Sequence, residues 1–190
     1  RTVGGAYENY VTPEMCVPEK PLRVPWESCL TLGADFNYAY GDHYKSPREL
    51  VNLLVNIVAK GGNMALNVSP QPDGRIPVEA WESLRGLGAW MQTYGEAIYG
   101  TRICAPYQSG NLAFTQKGDT VYAIRLYPEE GEAVEEELLI PYQEKIRGIS
   151  MVDTKKEAEW KMTEEGIQVV IPQEYREGET PIAIVWKIEQ

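Results

Sequence analysis

A parallel α/β half followed by an all-β half is the architecture this sequence predicts, and three observations predict it. A capping box at Ser46 opens an apolar stripe at helical spacing. A double glycine ends that stripe and runs straight into the short apolar stretch NMALNVSP, which a second helical stripe follows. After Cys104 the texture changes to short β-rich runs separated by turn residues.

Each element has its own justification. Residues 1–45 are rich in Pro, Gly, Tyr and Trp and read mostly as long loops, with WESCLTL (26–32) as the one strand among them. Ser46-Pro47-Arg48-Glu49 pairs a capping box with Pro in the first turn, a helix start. Leu50, Leu53, Leu54, Ile57 and Val58 then recur on one face, and Val51 and Val55 widen it, which predicts a helix over 46–60 covered on more than one side. Gly61-Gly62 stops it, one of them in the left-handed conformation. NMALNV (63–68) reads as a strand and Pro72-Asp73-Gly74 as a turn. A second helix is predicted over 77–94, with Trp81, Leu84, Leu87 and Met91 on its apolar face. Strand, helix, strand, helix is a βαβα unit, which implies a parallel sheet with both helices on one side of it. Asn63 and Asn67, polar positions within the apolar strand, are expected to tie strand to loop.

Beyond Cys104, LAFTQKGDTVYAIRLY holds two β-rich runs around Lys117-Gly118-Asp119, a hairpin signal. EELLIPY, IRGISMV, EAEWKM, IQVVIP and PIAIVWKIE follow, and roughly seven such strands predict an antiparallel β-sandwich. The acidic run EEGEAVEEE reads as a solvated hairpin loop. The boundary is expected between Gly100 and Pro106, giving domains at 1–104 and 105–190.

Composition narrows the function classes. The 190 residues carry a net charge of −10, with 9 basic and 11 acidic residues up to Cys104 and 9 and 17 after it. No basic patch interleaves with aromatics, so nucleic-acid binding is not expected. No apolar run is long enough to span a membrane. Cys16, Cys29 and Cys104 are too scattered for a disulfide framework or a CxxC metal site; one pair can still bridge, which leaves the compartment open. With a single histidine, His43, and no cysteine cluster, neither a metal nor another cofactor is expected.

The stretch GGNMALNVSPQPDGRIPVEAWESLRGLGAWMQTYGEAIYGT resembles the closing segment of the catalytic barrel of α-L-fucosidases of glycoside hydrolase family 29. PWESCLTLGADFNYAYGDHYKS and YVTPE, upstream of it, are similar to further segments of that family. The resemblance is dense over 1–101 and weak beyond, where only a C-terminal β-sandwich is implied. It implies that NMALNVSP is the last strand of a (β/α)₈ barrel, with Ser69-Pro70-Gln71 at the active-site mouth. A whole barrel takes about 250 residues, so the chain is expected to hold the C-terminal portion of one, with the remainder of the barrel as its partner.

Retaining glycosidases place two carboxylates about 5–5.5 Å apart, one nucleophile and one acid/base. The resemblance implies a nucleophilic Asp upstream of Arg1, outside this chain; Asp35, Asp42 and Asp73 all fall in predicted loops or turns. For the acid/base it implies Glu14 in YVTPEM, with Glu27 as the alternative. Glu27 stands beside Trp26 at a strand start, where a buried structural pair is the competing role. Arg1 matches an arginine near the sugar hydroxyls, and Phe36 an aromatic that packs on the methyl group and apolar face of fucose. Trp26 is a further candidate for the pocket wall, with core packing as its other role. His43 reads as a surface loop residue. The implied activity is hydrolysis of terminal α-linked L-fucose from glycans with retention; the alternative is a non-catalytic glycan-binding or structural module. Secreted, periplasmic and lysosomal settings all fit the resemblance.

Overall fold

In the computed structural model of the chain, which describes residues 8–190, Ser46 caps helix α1 (Pro47–Ala59) as its sequence requires. Its hydroxyl accepts the Glu49 N–H, and the Glu49 carboxylate accepts the Ser46 N–H at 2.7 Å. At the far end Gly61 takes φ +79°. Its N–H bonds the Val58 carbonyl and the Gly62 N–H bonds the Ile57 carbonyl, a Schellman stop. Gly62 has a second reason to lack a side chain, since a Cβ there would lie 2.4 Å from the Trp26 ring.

The chain divides into two units, Arg1–Met91 and Gln92–Gln190. In the first, β1 (Glu27–Thr31) and β2 (Asn63–Asn67) pair in parallel, from Glu27 opposite Asn63 to Thr31 opposite Asn67, with α1 as the crossover. Segment 11–15 adds a third parallel stretch on the other side of β1. Val11 stands opposite Trp26 and Glu14 opposite Cys29. The Glu27 N–H bonds the Val11 carbonyl, the Cys29 N–H the Pro13 carbonyl, and the Met15 N–H the Cys29 carbonyl. This stretch reads as loop in the sequence because Pro13 lacks a donor and no apolar alternation marks it.

Side chains from one face of this sheet build the core. Trp26, Leu30 and Ile57 pack with Val11, Leu22, Leu53, Met64 and Leu66. Leu32, Leu50 and Ala80 pack with Leu66, Val68, Leu84 and Leu87. Helices α1 and α2 (Val78–Tyr94) therefore share one side of β2, as the sequence predicts. Gly86 lets them approach, for a Cβ there would meet the Pro47 ring at 2.3 Å. Leu84 and Leu87 of the expected face pack inward, but Ala80, Ser83 and Trp90 are the buried residues of α2 and Trp81 is 46% exposed. Trp81 falls about 100° around the helix from Ala80, and the Arg85 guanidinium lies 5.8 Å from its ring centroid.

The second unit holds β3 (Gln108–Ser109), β4 (Leu112–Lys117), β5 (Thr120–Leu126), β6 (Glu137–Ile140), β7 (Gly148–Met151), β8 (Trp160–Met162), β9 (Ile167–Val170) and β10 (Ala183–Glu189). They form sheets in the orders β3-β4-β5-β10-β7 and β6-β9-β8, and their pairings are antiparallel. Alternate residues point inward, so Phe114, Ile184, Trp186 and Ile188 of one sheet meet Ile140, Ile167 and Val169 of the other. Full burial of each aliphatic side chain contributes about 1.5–3 kcal/mol.

Two local expectations for this unit need correction. A short helix α3 (Gln173–Arg176) interrupts the β structure. It begins after Pro172, and its Tyr175 packs against the core and donates to Asp153 at 2.6 Å. The acidic run after β5 is more than a solvated loop. Glu135 accepts from Arg125 Nε at 2.7 Å and Glu132 lies 3.3 Å from the same guanidinium, which sits 4.6 Å from the Tyr127 ring centroid. The three cysteines are free thiols.

Candidate active site

Parallel strands give a sheet two unlike ends, and in barrels the chemistry gathers at the C-terminal one. Residues opposite each other in register project to the same face. Trp26 and Leu30 face the helices, so Cys29 and Thr31 face away from them, together with Ala65 and Asn67 of β2. Glu14 stands in register with Cys29 and projects to that same helix-free face, two residues short of the end of β1. The backbone bonds of Pro13 and Met15 to Cys29 hold it from both sides. Directly after it, Met15 takes φ +53°, a conformation unfavourable for a non-glycine residue and frequent where function fixes the backbone. The Thr31 hydroxyl donates to the Gly33 carbonyl at 2.7 Å and lies 3.7 Å from the Met15 sulfur. Beside this segment lies a cavity of about 630 Å³ lined by segment 11–15 itself, Cys16, Pro18 and the core residue Leu22.

Glu27 lies on the same face but at the N-terminal end of β1, opposite Asn63. That puts it about 7 Å deeper than Glu14 along the strand and about 13 Å below Thr31. Trp26 is 1% exposed. Its indole N–H donates to the Lys60 carbonyl at 3.4 Å, and its ring fills the space Gly62 leaves. It is a core residue here, not a pocket wall. Lys60, beside it, donates from Nζ to the Pro18 carbonyl at 2.9 Å, and burial pushes its ammonium pKa down. Arg1 lies outside the described residues. His43 is exposed.

Phe36 belongs to the loop that leaves the C-terminal end of β1, and the end of β2 grips that loop directly. Asn67 Nδ2 donates to the Phe36 carbonyl at 3.1 Å and Ser69 Oγ at 2.7 Å, while Asn67 also donates to Ser69 Oγ at 3.1 Å. The tie expected of Asn67 exists; Asn63 makes no side-chain bond of that kind among the described residues. Other fastenings were not foreseen. Asp42 accepts the Ala34 and His43 N–H groups at 3.1 and 2.8 Å, closing the loop on itself. A Cβ at Gly33 would lie 2.0 Å from the Asp42 carboxylate, so a side chain there would push Asp42 off these N–H groups. Lys45 donates from Nζ to the Thr31 carbonyl at 2.7 Å. Only the placement of charged residues at both ends of an aromatic loop hinted at these roles. Glu14, Phe36, Asn67 and Ser69 thus gather at one end of three parallel stretches. Among the described residues no cluster of three His, Cys, Asp or Glu side chains could hold a metal. No helix among them is long and apolar enough to cross a membrane.

The fold is that of the closing strands of a (β/α)₈ barrel followed by an antiparallel β-sandwich. The chain belongs to the α-L-fucosidase family: residues 1–96 match the family described as alpha-L-fucosidase, and residues 106–189 match the alpha-L-fucosidase C-terminal domain. It is 32% identical over 160 residues to the alpha-L-fucosidase of Branchiostoma floridae, covering 77% of this chain and 34% of that protein. Alpha-L-fucosidase isoenzyme 1 from Paenibacillus thiaminolyticus superposes with a TM-score of 0.84 at 26% identity, over 95% of this chain and 45% of that one. The Thermotoga maritima alpha-fucosidase in complex with fucose does so with a TM-score of 0.79 at 28% identity, over 97% and 43%. The chain spans less than half the length of these relatives.

Proposed function

We propose that this chain is the C-terminal part of a retaining α-L-fucosidase that removes terminal α-linked L-fucose from glycans. Residues 1–104 close its catalytic barrel and residues 105–190 form its C-terminal sandwich. The nucleophilic Asp comes from barrel residues N-terminal to Arg1. In the first step that Asp attacks the anomeric carbon while Glu14 gives its proton to the departing glycosidic oxygen. In the second, Glu14 takes a proton from water as the water displaces the Asp from the fucosyl–enzyme ester. Phe36 packs on the sugar methyl group, Arg1 binds sugar hydroxyls, and Trp26 supports the site from the core. No cofactor takes part.

The observation that carries this reading is the register of Glu14 with Cys29. It favours Glu14 over Glu27, because a barrel strand presents catalytic groups at its C-terminal end and stabilising groups at its N-terminal end. The test uses the full-length parent. Glu14→Ala is expected to slow hydrolysis of a natural fucoside by about 10²–10⁴-fold and an activated aryl fucoside far less at the first step. Added azide restores turnover as the α-fucosyl azide. Azide rescue of Glu27→Ala with none of Glu14→Ala would reverse the assignment. The 190-residue chain alone is expected to be inactive; turnover above a Glu14→Ala control would overturn that.

A further inference from the structure

The segment that leads into β8 runs alongside the outer edge of β7, with Glu157 standing opposite Ser150. Strand β7 ends the five-stranded sheet and β8 ends the three-stranded one. Beside them lies a cleft of about 380 Å³ whose lining includes Arg147, Ser150, Glu157 and Trp160, together with Lys155 and Glu189. That volume falls in the range of small-ligand sites, about 300–1,000 Å³.

Its parts differ in what they offer. Trp160 packs against the sandwich core and also lines the cleft, so a rigidly held aromatic forms one wall. Lys155 is already bound to Glu96 at 2.5 Å and Glu189 to Lys187 at 3.4 Å. The side chains of Arg147 and Glu157 are exposed and have no partner among the described residues. The cleft is also preformed: the Ala158 N–H bonds the Ile149 carbonyl at 2.9 Å, the Met151 N–H the Lys156 carbonyl at 2.8 Å, and the Arg147 N–H the Glu189 carbonyl at 2.7 Å. The ordering that binding still requires falls on the Arg147 and Glu157 side chains, not on the backbone.

We propose that this cleft is a second, non-catalytic sugar-binding site. One guanidinium and one carboxylate suit adjacent hydroxyls, each of which donates and accepts, while the indole offers a dehydrated surface to ring C–H groups. Equal numbers of positive and negative side chains favour a neutral pyranose over an anionic glycan. The pyranose follows from the cleft itself; that it belongs to a fucosylated glycan rests on the proposed function. Such a site would hold the glycan by a sugar distant from the bond being cut.

The test is amide NMR of the 190-residue chain titrated with 2′-fucosyllactose and, separately, with lactose. Shifts are expected at Gly148–Met151 and Trp160–Met162 with a dissociation constant on the order of millimolar. Arg147→Ala and Glu157→Gln alter exposed side chains and leave the fold intact; each should weaken those shifts about tenfold. Trp160→Ala should abolish them, and its own spectrum reports whether the sandwich survives. No shifts with either sugar, shifts confined to the Phe36 loop, or cleft shifts that both exposed-residue variants leave unchanged would each overturn the proposal. Cleft binding with an inactive full-length parent would sink the fucosidase reading alone.

Discussion

Strands β2 and β10 are both short apolar runs in parts of the molecule that use them differently. None of the five residues of β2 is buried, whereas β10 buries all but Lys187 and Glu189. The second sheet covers the inner face of β10 with Ile140, Ile167 and Val169. Helices α1 and α2 cover β2 on the side of Leu66, and its other side carries Asn63 and Asn67. One unit encloses its own core; the other presents a sheet face with the candidate catalytic carboxylate on it. A barrel packs the inner face of its strands with side chains from its other strands, so within this chain the unit bearing the site is held by one layer of contacts where the sandwich has two.

The largest test of that contrast is the paired removal of two buried indoles, Trp186 at 0% exposure and Trp26 at 1%. Trp186→Ala and Trp26→Ala should each cost about 3–5 kcal/mol. Hydrogen exchange read by mass spectrometry should place the loss in residues 105–190 for the first and in residues 8–91 for the second. A loss spread evenly over both units in either variant would break the comparison.

A smaller effect separates two glycines. At Gly166, φ is +144° and a Cβ would lie 2.3 Å from the Ile140 carbonyl oxygen, a backbone atom that cannot turn aside. Gly166→Ala should therefore cost about 3 kcal/mol or more in the sandwich. Gly62→Ala meets the Trp26 ring, a side chain with some room to shift, and should cost about 1–3 kcal/mol in the barrel portion. Urea midpoints of the two variants would rank them; a milder Gly166→Ala would show that the 140–141 turn yields.

These two units were not equally legible. The capping box, the glycine stop and the strand after it are local signals, and the structure follows them to within a residue or two at each end. Seven of the eight sandwich strands, β4 to β10, were legible for the same reason, since turn residues bracket each run; β3, two residues long, was not. Segment 11–15 was not, because its pairing is visible only from β1, fifteen residues away, and Pro13 hides it. The resemblance named Glu14, but its facing direction came only with the register to Cys29. The grip of Asn67 and Ser69 on the Phe36 carbonyl joins residues more than thirty apart, a relation that no local pattern carries.

Alkaline pH should sharpen the contrast further. Burial, followed by the Glu96 carboxylate that accepts its hydroxyl, pushes Tyr122 up to about 12. Burial pushes Cys104 up to about 11, and burial followed by Asp153 or Glu135 also raises Tyr94, Tyr175 and Tyr127. All of these lie in the second unit; in the first, Tyr44 is raised as well, chiefly by burial. Each holds its proton more tightly folded than unfolded, so its contribution is whole below the ordinary value, 9.0 for Cys and 10.0 for Tyr. It is lost as pH rises towards the folded value. The sandwich should weaken from about pH 9 to 12, with Tyr122 accounting for on the order of 2 kcal/mol. Tyr122→Phe should flatten that arm in urea titrations at pH 8 and 11; an unchanged slope would show that Glu96 gives the hydroxyl up without cost.

The smallest effect belongs to the cap of α1 and acts at the opposite end of the pH scale. The Ser46 N–H, more than any other group, holds the Glu49 carboxyl below its ordinary 4.5. A carboxyl lowered by folding contributes stability above its unfolded value and loses it as pH falls through the folded one. Ser46→Ala removes the hydroxyl that satisfies the Glu49 N–H but keeps the backbone N–H that Glu49 accepts. It should therefore cost about 1 kcal/mol at neutral pH and leave the larger part of the acid dependence, which the backbone N–H supplies, in place. Glu49→Gln should do the reverse, removing the acid arm at little neutral cost. Urea midpoints at pH 7 and pH 4 distinguish the two. Hydrogen exchange should confine both changes to residues around α1; a change in the exchange of β4, β5 or β10 would mean that the two units do not unfold separately.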